Sequence, residues 1–182
     1  PPRRAATGGS VPEMRQRRTL GFDPIDEARR QWIDRGWQDA AGGMAALTSI
    51  IRVEQLLMAR VEEALAPFEL TFARYELLVL LDFSRAGALP MGKLGARLQV
   101  HPASVTNAVD RLEAQGLVER VAHPDDGRTT LATITSTGRR RVRRATAVLN
   151  EAVFSDLGWS ERDLRDLFRI LRKLRRGAGD FD

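Results

Sequence analysis

The sequence predicts a mainly α-helical protein with one small β-hairpin. Apolar residues recur at helical spacing through much of the chain, as at Met44, Leu47 and Ile51. Two segments rich in Val, Thr, Leu and Ile, residues 117–122 and 129–135, flank a polar turn and read as paired strands. The length of 182 residues suits one domain with extensions, and it allows a proper core.

The composition excludes several classes of function. The chain has no cysteine and only two histidines, His101 and His123, which excludes disulfides, thiol chemistry and Cys-type zinc sites. No phosphate-binding loop or nucleophile motif is present, so we expect no enzyme activity, no cofactor and no metal. The longest strictly apolar run, Leu77–Leu81, is far shorter than the ~20 residues of a membrane span. We therefore expect a soluble cytoplasmic protein with no membrane partner.

The basic excess of the chain is local. Residues 1–22 carry five arginines and one glutamate among prolines and glycines, which predicts a flexible basic arm. Residues 23–89 are acidic, with seven basic against eleven acidic side chains. Residues 90–144 carry ten basic against five acidic side chains, so a polyanionic partner is expected there.

Three helices are predicted before residue 84. Asp23 and Pro24 begin a short helix, which Gly36 and the Gly42–Gly43 pair should interrupt. A long helix then covers residues 44–66 and ends at Pro67. The third covers residues 71–83 with Thr71 as its N-cap. Because it is apolar nearly all round, it should be buried.

Two short helices follow at helix-turn-helix spacing. They cover residues 90–98 and 102–115, and each begins with a proline. Gly116 suits the left-handed position after the second helix. The hairpin comes directly afterwards, so the spacing indicates a winged variant of the helix-turn-helix.

The second of these helices has two distinct faces. At 100° per residue, Val105, Ala108, Val109 and Leu112 form an apolar face that should point inward. Small and polar residues form the other face, which can enter a major groove, where Asn107 would bond an adenine edge. The alternative is an ordinary amphipathic helix with a solvated face. The hairpin and the local positive charge favour DNA.

The chain ends in two further helices. One covers residues 136–155, and its run of arginines from Arg139 to Arg144 is either a solvated face, which we favour, or a phosphate-contacting patch. Ser160 caps the last helix, with Asp163 three residues later. This helix has a leucine stripe with no obvious partner in so small a protein, which indicates a dimer interface: Leu164, Leu167, Leu171 and Leu174.

Motifs in this part of the chain resemble the MarR family of transcriptional regulators. They comprise M-G-K-L-G-A-R-L over residues 91–98, V-T-N-A-V-D-R-L-E over 105–113 and G-L-V-E-R over 116–120. The wing adds Asp126, Arg128, Ile134–Thr135 and Gly138, which resemble the D-x-R…L-T-x-x-G pattern of that family. The resemblance extends over residues 44–176.

The resemblance implies a homodimer that binds a pseudo-palindromic operator in double-stranded DNA. A winged helix-turn-helix domain, residues 71–135, would lie between dimerisation helices at 23–70 and 136–182. Residues 102–112 would form the recognition helix, and Arg128 at the wing tip would enter the minor groove. Asp126 would orient Arg128 or the neighbouring backbone, and His101 would contact DNA or serve as a neutral turn residue. The implied DNA-binding set is His101, Ala103, Ser104, Thr106, Asn107, Asp110, Arg111, Asp126 and Arg128.

The resemblance also implies a small anionic or phenolic effector that relieves repression. Candidate pocket residues are Trp32, Trp37, Arg52, Tyr75 and Glu76. The alternative for the two tryptophans is that they pack the extra N-terminal helix against the core. The overall expectation is a ligand-responsive, sequence-specific repressor. The basic arm motivates the alternative of a sequence-tolerant architectural DNA-binding protein.

Overall fold

The computed structural model describes residues 19–182, so the basic arm expected over residues 1–22 lies mostly outside the described residues. The described chain is mostly helical, with a small antiparallel sheet, as the sequence predicts. Its elements in chain order are α1 (Pro24–Asp34), α2 (Gln38–Leu65), a 3₁₀ turn (Ala66–Phe68), α3 (Phe72–Phe83), β1 (Ala88–Pro90), α4 (Met91–Leu98), α5 (Pro102–Ala114), β2 (Val118–His123), β3 (Asp126–Ile134), α6 (Ser136–Leu149), a π-helical turn (Asn150–Phe154) and α7 (Glu161–Gly177).

The described residues divide into two compact units, one that ends at Val53 and one that comprises Glu54–Asp182. In the first unit, α1 begins where expected because the Asp23 carboxylate accepts the N–H of Ile25 at 2.9 Å. Gly36 follows α1 with a φ of +80°, a left-handed conformation that favours glycine. The rings of Trp32 and Trp37 meet edge to face, with centroids 5.4 Å apart.

The predicted interruption at Gly42–Gly43 is wrong. Helix α2 begins six residues earlier than expected, at Gln38, and both glycines lie inside it. The turn at Gly36 has already separated the two helices, and the carbonyl of Trp37 accepts the N–H groups of Ala40 and Ala41, each at 3.1 Å. A glycine inside a helix reduces helix stability by only about 1 kcal/mol relative to alanine. The neighbouring alanines favour the helix enough for it to continue across both glycines.

The core of the second unit is built on α3. Three leucines of this helix, Leu77, Leu78 and Leu81, are fully buried, which confirms the predicted central position. Thr71 caps the helix, as predicted, by accepting the N–H of Arg74. The buried positions of α5 match the predicted inward face: Val105, Val109 and Leu112.

The sheet has three strands in the order β1-β3-β2, all antiparallel. Strand β1 was not predicted, because it is only three residues long and ends in Pro90. Its partner residues on β3 run from Thr133, opposite Ala88, to Leu131, opposite Pro90. Proline is tolerated at an edge strand, since the missing N–H is not needed by a further neighbour.

The wing strands are longer at the turn than the sequence predicts. Strand β3 begins at Asp126 rather than Thr129, and His123 pairs with Asp126 across the hairpin. The polar residues that read as a long turn therefore add one pair to the ladder, beyond a register shift between Ala122 and His123. The turn itself is confined to Pro124–Asp125.

The predicted helix over 136–155 changes character near its end. It is α-helical to Leu149 and then forms a π-helical turn over Asn150–Phe154. The guanidinium of Arg60 donates to the carbonyl oxygens of Ala152 at 2.7 Å and Asp156 at 3.1 Å. This contact between residues about ninety positions apart satisfies backbone groups at the end of the turn and cannot be read from local sequence.

The arginine run of α6 binds protein groups. The Asp82 carboxylate of α3 pairs with Arg139 at 2.8 Å and with Arg143 at 3.2 Å, and its side chain is only 10% exposed. Arg141 pairs with Glu69 at 3.7 Å, and Arg144 lies 5.9 Å from the centre of the Phe68 ring. These four arginines contact residues of α3 and of the segment before it. Arg139 and Arg141 are half-buried, whereas Arg143 and Arg144 stay exposed, so the predicted solvated face holds for part of the run.

Helix α7 carries the predicted capping box, in which Ser160 and Asp163 each bond the backbone N–H of the other. No residue of this helix is buried. Leu164 is 38%, Phe168 65% and Leu174 62% exposed. An apolar face of α7 is therefore uncovered in the single chain.

Candidate nucleic-acid interface

The start of α5 is fixed by an imidazole. The Nδ1 atom of His101 accepts the backbone N–H of Ala103 at 3.2 Å, and Pro102 occupies the first helical position. An Nδ1 atom that accepts leaves Nε2–H as the only ring donor. His101 is exposed, so this donor is open to a partner outside the chain.

The exposed face of α5 carries open polar groups. Within residues 19–182 the side chains of Ser104 and Asn107 form no hydrogen bond, and Arg111 is in no ion pair. The hydroxyl of Thr106 donates to the carbonyl of Pro102 at 3.2 Å and keeps its acceptor capacity. Of the expected contact residues on this helix, all are exposed: Ala103, Ser104, Thr106, Asn107, Asp110 and Arg111.

Two clefts lie on opposite sides of α5. The first, of about 710 Å³, lies between α5 and the start of α3, and Arg74 and Arg111 are among the residues that line it. The second, of about 670 Å³, lies between α5, the start of α4 and the wing. It is lined by the cations Lys93 and Arg128, and by Arg120, which is paired with Asp110 and Glu113. The helix is thus a ridge with positive side chains in the depression on either side.

The wing tip is ordered by a carboxylate. Asp126 accepts the backbone N–H of Arg128 at 3.1 Å and the hydroxyl of Thr129 at 2.7 Å. The Thr129 hydroxyl, followed by the Arg128 N–H, lowers the pKa of the Asp126 carboxyl. The backbone next to Arg128 is fixed, while its guanidinium is in no ion pair in the described part of the chain. His123 orders the other side of the turn by accepting the N–H of Asp125 at Nδ1.

Sequence reasoning missed Arg120. This β2 residue binds two carboxylates of α5: Asp110 at 2.5 Å and Glu113, which also accepts the backbone N–H of Arg120 at 3.1 Å. Burial alone lowers the pKa of the Arg120 guanidinium, but the hydrogen bonds to Asp110 and Glu113 outweigh it and raise the pKa. The Asp110 carboxylate, expected at the DNA contact, is thus occupied by a neighbouring strand. The E-R pair at residues 119–120 is the only sequence signal for this ion cluster, and spacing alone does not predict the pairing with α5.

The expected effector residues fall into both units of the chain. Trp32, Trp37 and Arg52 belong to the first, where the two tryptophans contact each other. Tyr75 and Glu76 are neighbours on α3 in the second. The hydroxyl of Tyr75 is hydrogen-bonded to that of Thr146 at 3.1 Å, and burial raises the pKa of the Glu76 carboxyl.

Other kinds of site were sought in the same residues. No group of three or more His, Asp and Glu in the described residues is arranged to hold a metal ion. None of the helices in residues 19–182 is both long enough and apolar enough to cross a membrane.

Known proteins share this architecture. The family model described as MarR family matches residues 70–130. The chain is 31% identical over 123 residues to the uncharacterized HTH-type transcriptional regulator YhbI of Bacillus subtilis, covering 65% of this chain and 79% of YhbI. It is 33% identical over 103 residues to the HTH-type transcriptional repressor Rv2887 of Mycobacterium tuberculosis, covering 57% of this chain and 73% of that protein.

Solved structures agree with these relatives. Sco5413, a MarR family transcriptional regulator from Streptomyces coelicolor, matches 78% of this chain and 98% of its own with 50% identity and a TM-score of 0.71. Sco3205 from the same organism, solved in complex with DNA, matches 72% and 84% at 28% identity and a TM-score of 0.65. CouR from Rhodococcus jostii RHA1, bound to p-coumaroyl-CoA, matches 69% and 86% at 28% identity and a TM-score of 0.60. With its recognition helix, wing and these relatives, the chain belongs to the MarR family of transcriptional regulators.

Proposed function

We propose that the protein is a homodimeric repressor that binds a pseudo-palindromic DNA operator and is released by a small effector. The observation that carries the DNA-binding part is the ridge of α5 with a cationic cleft on each side. A B-DNA major groove admits one α-helix, and a phosphate strand runs along each of its edges. The solved complex of Sco3205 with DNA supports the same use of the fold.

Within the recognition helix, the polar groups without partners are proposed to contact DNA. Asn107 would bond a base edge, and Ser104 and Thr106 would contact bases or phosphates. Arg111 lines the first cleft and would reach a phosphate. His101 would donate through Nε2–H, and Ala103 would allow close approach at the start of the helix.

In the wing, Arg128 is proposed to enter the minor groove. Narrow A·T-rich minor grooves concentrate negative potential and attract arginine. Asp126 would serve this contact from a distance by fixing the backbone of Arg128. The DNA-binding part of the chain would be residues 71–135.

Dimerisation is proposed to involve residues 23–70 and 136–182. The support is the uncovered apolar face of α7, where Phe168 and Leu174 are more than half exposed. Covering a side chain of this size contributes about 1.5–3 kcal/mol. A second copy, related by a two-fold axis, would also present two recognition helices to two half-sites.

The effector is proposed to be a small anionic or phenolic molecule. CouR, solved with p-coumaroyl-CoA, supports an effector of this chemistry in a related regulator. Trp32, Trp37, Arg52, Tyr75 and Glu76 are its proposed contacts. The repressor direction is supported by the similarity to Rv2887, an HTH-type transcriptional repressor.

Selection of bound duplexes from a random DNA pool tests the proposal. We expect an inverted repeat with half-site centres about 10 base pairs, or a multiple of this, apart. Addition of p-coumaric acid or salicylate to the selected complex then tests effector release. Equal affinity for selected and random duplexes would support the architectural alternative instead. A single unpaired half-site would contradict the dimer.

A further inference from the structure

The recognition helix and the wing are joined by a cluster of three charged side chains, Arg120, Asp110 and Glu113. The guanidinium of Arg120 on β2 bonds both carboxylates of α5, and the Glu113 carboxylate also accepts the backbone N–H of Arg120. Strand β2 is an edge strand with β3 as its one neighbour, and the N–H of Arg120 donates to the Glu113 carboxylate rather than to a strand. Side chain and backbone of the same wing residue are therefore both attached to α5.

The position of the cluster decides what it controls. Arg120 pairs with Ala132 in the body of the sheet, and the turn begins after His123. At about 3.3 Å per residue, the tip lies roughly 10 Å beyond Arg120. A small rotation at the cluster thus becomes a larger displacement of Arg128, while its backbone contact with Asp126 holds only within the tip.

Both carboxylates stand on the face or flank of α5 that is open to solvent. Near DNA phosphates an uncompensated carboxylate would oppose binding. The single positive charge of Arg120 compensates one of the two carboxylates, so the cluster keeps one net negative charge, and the guanidinium gives charge-assisted hydrogen bonds in a fixed planar geometry.

We propose that Arg120, Asp110 and Glu113 form a brace that sets the distance between the recognition helix and the wing tip, so that both DNA contacts are made as one rigid unit. Arg120 and Asp110 are then positioning residues that act through Arg128 and α5. The inference rests on the proposed DNA-binding function for its consequence, but the brace itself can be measured without DNA.

The competing role for Arg120 is a direct phosphate contact, because it lines the same cleft as Lys93 and Arg128. The two roles predict opposite effects of removing the carboxylates. Without Asp110 and Glu113, a phosphate-binding Arg120 would be freed and binding would strengthen. A brace would be lost and binding would weaken.

The first experiment measures the brace directly. The chain has no cysteine, so Ser104→Cys and Asp125→Cys introduce one spin label on α5 and one at the wing tip. Pulsed electron–electron resonance should give a narrow distance distribution, which Asp110→Asn with Glu113→Gln should broaden to at least about twice the width. An unchanged width would overturn the brace whatever the protein does with DNA.

The second experiment uses the duplex selected from the random pool. The Asp110→Asn, Glu113→Gln variant should bind it about tenfold more weakly, although it has gained positive charge. Arg128→Ala should cost much less in this variant than in the parent, because the tip is no longer held in place. Unchanged or tighter binding, or the same cost of Arg128→Ala in both backgrounds, would contradict the brace.

Arg85→Met is the control for a change of charge elsewhere in this domain. It removes an exposed arginine just before β1, whose first residue pairs with Thr133 at the end of the sheet away from the wing tip. This control should leave the spin-label distances and the cost of Arg128→Ala unchanged. Absence of any preferred duplex for the parent protein would refute the proposed function, while the label distances would still decide the brace.

Discussion

The Nδ1 atom of His101 accepts the backbone N–H of Ala103 at 3.2 Å and so replaces the usual serine or aspartate at the start of a helix. This bond fixes the end of α5 that is proposed to enter the DNA groove. The same imidazole can cap the helix and donate to DNA, because Nδ1 accepts the Ala103 N–H while Nε2–H is a donor.

Removal of this cap should destabilise α5. We expect His101→Ala to lower the free energy of unfolding by about 1 kcal/mol, the usual cost of losing an N-cap. His101→Asn should retain most of that stability, since its side-chain oxygen can accept the same N–H. Urea unfolding followed by circular dichroism measures both variants, and equal stability of the two would show that the cap contributes nothing.

Two proposed DNA contacts should differ in kind. Asn107→Ala should reduce the preference for the selected operator over a base-substituted one by about 1–3 kcal/mol, because a base-edge contact is lost. Arg128→Ala should instead lower the slope of log affinity against log salt by about 0.9 for each phosphate interaction lost. Titrations at several salt concentrations separate the effects. A salt-slope change for Asn107→Ala with unchanged base preference would contradict its assignment.

The wing tip should depend on pH through Asp126. The hydrogen bonds from Thr129 and Arg128 lower the pKa of this carboxyl, so they stabilise the folded wing at pH values above the ordinary aspartate range near 3.9. The contribution is lost as the pH falls through the lowered pKa. The amide resonance of Arg128 should therefore shift only below about pH 4. Asp126→Asn should abolish the transition, and a midpoint above the ordinary aspartate value would refute this account.

Local signals were enough to predict the elements that form the candidate site. Thr71 and Ser160 mark helix starts through bonds that span three residues, Pro102 marks one through its fixed φ, and the inward face of α5 follows from its periodicity. Once the inward face of α5 is known, its other residues, including Ser104 and Asn107, must form the outward face. That part of the site needs no tertiary information.

The features that could not be predicted depend on contacts between distant residues. Arg60 reaches the π-helical turn after α6 across more than ninety positions, and the Asp82 carboxylate pairs with Arg139 and Arg143 of another helix. An exposed arginine and a paired one look alike in sequence, because the pairing is decided by how two elements pack. For the same reason, its place on the exposed face of α5 made Asp110 a candidate for DNA contact, whereas in the structure it forms an ion pair with Arg120.

The apolar face of α7 should be needed for dimerisation. Phe168→Glu combined with Leu174→Glu would place four carboxylates in a two-fold interface, which we expect to shift the protein to a monomer at micromolar concentration. Light scattering coupled to size exclusion measures the mass. Arg162→Gln, at a side chain 86% exposed on the same helix, is the control and should leave the mass unchanged. A dimer that survives the double substitution would place the interface elsewhere.

The last position of the wing motif, Gly138, has room only for a glycine. A Cβ atom there would lie 2.2 Å from the carbonyl oxygen of Leu117 and 2.9 Å from a side-chain carbon of Ile134, so α6 can approach the sheet only at a glycine. Gly138→Ala should therefore destabilise the protein by about 1–3 kcal/mol through overpacking.

Gly43→Ala is the matched control, because residue 43 lies inside α2 with nothing within 4 Å of the added methyl, and this change should stabilise the protein by up to about 1 kcal/mol. Thermal unfolding of the two variants should move in opposite directions. A shift of the same sign in both would mean that helix propensity, rather than the contact with Leu117, determines the choice of glycine at residue 138.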